Sequence, residues 1–187
     1  MPIEQRPARA APRFSAALHP VLERIYLARG VNEDAQVRLD LADLLPPEQL
    51  LHIDSACALL YEMLQRRAPI LIVGDFDADG ATSAALGVSG LRAMGFTHVD
   101  YLVPNRFEYG YGLSPEIVEV AARRQPALIV TVDNGISSHA GIRRAHELGI
   151  KVLVTDHHLP GATLPEADCI LNPTQPGCPF PSKALAG

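Results

Sequence analysis

The spacing of apolar residues changes near residue 70, and the change divides the chain. Residues 1–15 are rich in Pro, Ala and Arg, carry no apolar period, and read as a flexible arm. Residues 16–28 read as a helix with Leu18, Leu22 and Ile25 on one face and Gly30 beyond its end. Pro46 and Pro47 open a second helical stretch to about Arg67, with Leu50, Leu51, Ala58, Tyr61 and Leu64 as candidate core residues. Beyond it, short β-rich runs fall at 70–73, 99–103, 128–132 and 152–154, with a weaker one at 169–171. Residues 81–94 are apolar almost all round and stop at Gly95, as a buried crossover helix would. Ser114 caps a further helix, with Pro115 at its first position and Arg123 and Arg124 in its last turn. Ser137 or Ser138 caps a third, which presents Ile142, Ala145 and Leu148 before Gly149. Strands alternating with helices every 25–30 residues or so predict βαβ units. The expected fold is α/β, a parallel sheet with flanking helices, preceded by a small, mostly helical segment. The boundary falls near residue 50, with 51–187 as the main domain.

In such sheets ligands bind outside the carboxyl ends of the strands. The unusual polar residues sit there each time. Asp75, Asp77 and Asp79 follow the first run, Pro104-Asn105-Arg106 the second, Asp133-Asn134-Gly135 the third and Asp156-His157-His158 the fourth. Three carboxylates at alternate positions repel one another and lose solvation, so a hard divalent cation is expected among them. Each cluster also has an ordinary reading. Asp75 to Gly80 opens like an EF-hand loop, but that loop needs Glu at its twelfth position, where Leu86 stands, and a preceding helix rather than a strand. An Asp-x-Asp-x-Thr phosphatase motif fails at Ala81. Asp-Asn-Gly alone is a common turn, and a His pair is commonly structural. Their recurrence at equivalent topological positions favours one shared site.

The remaining composition narrows the function classes. With 187 residues, 48% hydrophobic and 20% charged, the chain has the make-up of a globular domain with a small appendage. A net charge of −5 argues against a basic, nucleic-acid-coating protein. It leaves room for a nucleic-acid enzyme, since metal ions in an acidic pocket supply local positive charge. Three cysteines without CxxC spacing suggest reduced thiols in the cytoplasm. No apolar run approaches a membrane span, and no apolar stretch follows Arg6, Arg9 and Arg13 to make a signal peptide, so no membrane partner is expected.

Asp75 to Gly80, Asp133-Asn134-Gly135 and Asp156-His157-His158 resemble the first three motifs of the DHH phosphoesterase family. Within it, residues 103–107, 110–114, 131–137 and 155–161 resemble the single-strand-specific 5′→3′ DNA exonucleases, over roughly residue 20 to the end. The resemblance implies a bacterial cytoplasmic nuclease of recombination and repair. It also implies two ions, Mn²⁺ or Mg²⁺, single-stranded DNA as substrate, and a single-stranded-DNA-binding protein as partner. Asp133 would bridge the ions, Asp75 and Asp77 would hold one, and Asp79 and His157 the other. Val73 stands where many members carry a His, which leaves Asp75 to supply that ligand. His158 would contact the scissile phosphate or protonate the leaving oxygen, oriented by Asp156. Asn105, Arg106 and Asn134 would meet phosphates. Tyr109 and Tyr111 would stack on bases or simply be exposed tyrosines of a glycine-flanked loop. Family members carry a fourth-motif Asp and a substrate-clamping domain beyond the point where this sequence stops. The expectation is therefore an N-terminal piece, inactive alone. The alternatives are a family member acting on short oligonucleotides, cyclic dinucleotides or pyrophosphate, and a catalytically silent remnant.

Overall fold

The computed structural model describes residues 11–15, 18–38 and 40–186, the side chains of Leu41 and Arg106 excepted. Residues up to Leu45 and residues from Pro46 onward form two compact units.

In the first unit, α1 (Pro20–Ala28) starts with Pro in its first turn and the His19 ring accepting the Val21 N–H at 3.3 Å. It closes where the Gly30 and Val31 amides bond the carbonyls of Leu27 and Tyr26. Two expectations are corrected here. Leu22 and Ile25 are exposed and Leu27 is the buried residue of the helix, because so small a unit has little interior to cover a whole stripe. The supposedly flexible arm is paired from residue 11 on: Arg13 bridges Glu33, and the Ser15 amide donates to Asp34 Oδ2 at 2.9 Å. Residues 1–10, 16 and 17 lie outside the described residues.

The second unit is built on five strands: β1 (Ile70–Gly74), β2 (Val99–Leu102), β3 (Leu128–Val132), β4 (Lys151–Thr155) and β5 (Cys169–Leu171). All neighbours are parallel, in the order β2-β1-β3-β4-β5. Every residue of β1 and β3 is buried, which is why those runs are continuously apolar rather than alternating. Alternate side chains feed two cores. Ile70, Ile72 and Val130 join Ala56 and Met63 of α2 (Ile53–Gln65) and Ala84 of α3 (Ala78–Ala93). Leu71, Val73 and Ile129 join Ile117 and Val118 of α5 (Pro115–Ala122) and Ile142 and Ala145 of α6 (His139–Glu147). The short α4 (Arg106–Tyr109), which the sequence pattern does not predict, follows β2.

The expected α2 is out of phase with the observed one. A 3-10 turn, Pro47–Gln49, and a left-handed His52 (φ 68°) precede the helix, so it begins six residues after Pro47. Its inner face is Ala56, Leu59, Leu60, Met63 and Leu64, leaving Ala58 and Tyr61 exposed. Likewise α3 starts three residues before the expected Ala81, and exposed Leu86 shows it is not buried all round. The strand order reverses direction between β1 and β3, and their carboxyl ends therefore flank the crevice where such sheets bind ligands.

Candidate metal centre

Three strand ends build the site. At the end of β1, Asp75 Oδ1 accepts the Phe76 N–H at 2.7 Å. Asp77 caps α3, its Oδ1 accepting the amides of Asp79 and Gly80, each at 3.1 Å. Asp79 thus lies in the first helical turn rather than in a loop. Gly80 is required by proximity: a Cβ there would sit 2.6 Å from the Asp75 nitrogen.

At the end of β3 the chain turns through a left-handed Asp133 (φ 61°), a conformation Asp tolerates better than most residues. Its carboxylate is aimed inward and is 2% exposed as a residue. Asn134 Nδ2 donates to the carbonyls of Val73 and Val132 at 3.0 and 2.9 Å, tying the ends of β1 and β3 together. Asn134 Oδ1 is buried without a hydrogen-bond partner.

Beyond β4, the buried Asp156 acts as a four-way acceptor. Its Oδ1 takes the amides of His157 and His158 at 2.8 and 3.1 Å and His158 Nδ1–H at 2.7 Å. Its Oδ2 takes the Ile136 amide at 2.9 Å. One carboxylate therefore folds the His-His loop against the loop after β3 and fixes the His158 ring.

These pieces converge. His157 Nε2 lies 3.0 Å from Asp133 Oδ1 and 3.8 Å from Asp79 Oδ2, and His158 Nδ1 lies 4.0 Å from Asp133 Oδ1. Two donor sets, each with ligand atoms within 4.8 Å of one another, have Asp133 in common: Asp133 with His157 and His158, and Asp133 with Asp75 and Asp77. Burial, then the charges of Asp79 and Asp77, push the Asp133 carboxyl above its ordinary range against the pull of the two histidines. At His158 burial favours the neutral ring, but the Asp156 hydrogen bond and the charges of Asp156, Asp133 and Asp75 together raise its pKa. Carboxylate oxygens crowded with imidazole nitrogens are a donor set that fits a divalent, oxygen-preferring or borderline cation.

Of the expected substrate contacts, Tyr111 is at the centre. Its hydroxyl lies 3.1 Å from His158 Nδ1 and 3.4 Å from the Asp133 carbonyl oxygen, with the two rings edge to face. Asn105 lies at the exposed rim, its Oδ1 accepting the Phe107 amide at 3.1 Å. The Arg106 side chain lies outside the described residues. Two expectations are corrected. Tyr109 is partly buried against the core rather than offered as a stacking face. Asn134 is buried with its amide engaged by two backbone carbonyls, so it does not present that amide to a phosphate. Sequence reasoning misses Phe107, which is 94% exposed at the same rim, and Leu185, whose carbonyl oxygen lies 2.6 Å from His157 Nδ1. An aromatic residue in a polar loop is a visible signal for the first; a backbone acceptor leaves none for the second. A cleft of about 590 Å³ opens beside His158, lined among others by Tyr111, Gly135, Ser138 and Leu159. An apolar cleft between α3 and β2, about 640 Å³, carries no carboxylate or imidazole.

Residues 69–186 match the DHH family, N-terminal domain. The single-stranded-DNA-specific exonuclease RecJ of Salmonella typhimurium is 54% identical over 185 residues, 99% of this chain and 32% of that protein. RecJ of Bacillus subtilis is 36% identical over 172 residues, 90% of this chain and 22% of that protein. The chain thus spans about a third or less of the length of these relatives. Among solved structures, exonuclease RecJ bound to manganese superposes with a TM-score of 0.64 at 40% identity, covering 75% of this chain and 34% of that one.

Proposed function

The chain belongs to the DHH family, and from that membership we propose that it is the catalytic domain of a nuclease that removes nucleotides from the 5′ end of single-stranded DNA in recombination and repair. The observation that carries the proposal is the sharing of Asp133 between two donor sets at the reversal of strand order. Two ions held there would supply Lewis-acid stabilisation of the phosphodiester oxygens and an acidified water. Asp133 would be the ligand common to both, Asp75 and Asp77 would help to hold one, and Asp79 and His157 the other. Carboxylates mixed with imidazole match Mn²⁺ first and Mg²⁺ second.

His158 faces the cleft, where it contacts the scissile phosphate or hands a proton to the leaving oxygen, and Asp156 holds its ring for that task. Arg106 and Asn105, at the β2 rim, receive the 5′ phosphate. The partners in this reading are single-stranded DNA and the single-stranded-DNA-binding protein that coats it. The compartment is the cytoplasm, in keeping with cysteines that are all free. Among the described residues no helix is long and apolar enough to cross a membrane.

Calorimetric titration with Mn²⁺ tests the bridge. In the full-length protein, the native form should take two ions, His157→Ala one, and Asp133→Ala none, with Mn²⁺-dependent cleavage of 5′-phosphorylated single strands lost in Asp133→Ala. Two ions in Asp133→Ala, or near-normal turnover, would reject the bridging role. Preferential hydrolysis of cyclic dinucleotides would move the chain to another branch of the family.

A further inference from the structure

Residues 172–185 form a short strap against the His-His loop, and we propose that Lys183 is a positioning residue that locks this strap and so sets His157 as a ligand. The inference rests on the metal reading above. His157 Nδ1 lies 2.6 Å from the carbonyl oxygen of Leu185. A carbonyl oxygen only accepts, so Nδ1 carries the proton and donates it. The opposite nitrogen, Nε2, is thereby turned toward the space it shares with Asp133 Oδ1 at 3.0 Å and Asp79 Oδ2 at 3.8 Å. This is the ring orientation a ligating histidine needs, held by a backbone carbonyl on the far side of the ring.

The Leu185 carbonyl has to be held in place for this to work. Lys183, two residues earlier, donates from Nζ to the carbonyls of Pro173 and Cys178 at 2.7 and 2.9 Å, closing residues 173–183 into a loop. These are charge-assisted bonds, stronger than neutral ones. The base of the strap is fastened to the same histidine loop. Asn172 Nδ2 donates to the His158 carbonyl at 2.9 Å, and the Thr174 hydroxyl reaches that oxygen at the same distance. Gln175 Nε2 donates to the Ile170 carbonyl at 3.1 Å, and Asn172, Gln175 and Phe180 are buried. The base is therefore anchored in the core, while Ala184 and Leu185 are exposed at the site, joined to that base by the Lys183 staple. Without it, the Leu185 carbonyl is free to leave, and the His157 ring loses the acceptor that fixes its orientation.

Lys183→Met removes the donor and keeps the stem. In chelator, NMR of the histidine rings should show the His157 Nδ1–H proton hydrogen-bonded and protected from exchange in the native chain and exchanging freely in Lys183→Met. Mn²⁺ affinity by calorimetry should fall about tenfold, the lower end for loss of an outer partner of a ligand. Lys183→Arg, which restores the charged donor, should recover both. Native protection of that proton and native affinity in Lys183→Met would overturn the proposal. So would a loss that Lys183→Arg leaves unrepaired. If Lys183→Met does not fold, Lys183→Gln, whose shorter stem and neutral amide weaken the staple, should lower both readouts in part, and native values in it would overturn the proposal. A loss of that protection in a protein whose native form takes up no Mn²⁺ would uphold the positioning role and reject the metal reading, so the two fail separately.

Discussion

Alanine at position 80 sets two effects of opposite sign against each other. Helix propensity favours Ala over Gly by about 1 kcal/mol in a helix interior, and by less in a first turn, so propensity alone predicts a more stable protein. The new Cβ, however, would lie 2.6 Å from the Asp75 nitrogen and 2.7 Å from its carbonyl carbon. Unstrained carbon contacts begin near about 3.5 Å, so α3 must back away from β1 by about 0.8 Å. Neither obstacle is the far end of a flexible side chain; both are backbone at the end of a fully buried strand. Overpacking of this kind costs about 1–3 kcal/mol, which leaves a net loss of about 1–2 kcal/mol after the propensity gain. For a domain of this size that lowers the melting temperature by about 2–8 °C. The same retreat carries Asp77 and Asp79 away from Asp133, so Mn²⁺ affinity should fall as well. Scanning calorimetry in chelator, followed by Mn²⁺ titration, reads both quantities. A Gly80→Ala protein as stable as the native one, with unchanged affinity, would refute the close approach as the reason for this glycine.

Two further perturbations test the electrostatic framework. Asp156→Ala removes the acceptor of three backbone amides, those of Ile136, His157 and His158. At about 1–3 kcal/mol for each buried donor left unmade, urea unfolding should show a loss of about 3 kcal/mol or more, with a smaller loss in Asp156→Asn; indistinguishable midpoints would contradict the four-way role. The second concerns pH. Asp133 is raised above its ordinary 3.8 in the fold, so the native state binds its proton more tightly than the unfolded chain does. Its stabilising contribution is present below 3.8 and is lost as pH rises through the higher folded value. His158, raised above 6.5, has the same sign: stability held below 6.5 is lost as pH rises through its folded value. In chelator, the stability of Asp133→Asn over the native protein should therefore grow on going from acid to neutral pH. A gap that shrinks would sink this assignment.

How much of this is legible in the sequence depends on what each residue's signal consists of. The strands are readable because β1 and β3 are buried on both faces, which leaves unbroken apolar runs such as Ile70 to Val73. The convergence of Asp79, Asp133 and His157 is readable once those runs are taken as parallel, since topology alone then gathers their carboxyl ends. The start of α3 is misplaced because Asp77 looks like a ligand, and nothing in the pattern marks its second task as helix cap. The phase of α2 is lost because Leu50 and Leu51 extend the apolar pattern across a 3-10 turn that ends in a left-handed His52. Asn134 and Tyr109 are misassigned for a related reason. A polar or aromatic residue beside a motif looks the same in sequence whether it faces solvent or serves the frame.

Asp77 and Asp156, together with Asn134, are as much parts of the fold as of the site: they cap a helix, pin a loop and join two strand ends. That double use offsets part of the repulsion within the acidic cluster. Five carboxylates converging on one rim would repel, yet Asp77 and Asp156 give backbone amides a place to donate, and the helix N-terminus of α3 favours negative charge. Asp133 has less of this relief. It is the most buried carboxylate of the two donor sets, and that burial together with its neighbours Asp79 and Asp77 raises its pKa. The repulsion is therefore concentrated on the one group that both donor sets share. Cationic charge beside Asp133 would act where the repulsion is least screened, so the most buried carboxylate of those sets is also the one with most to gain from a counter-charge.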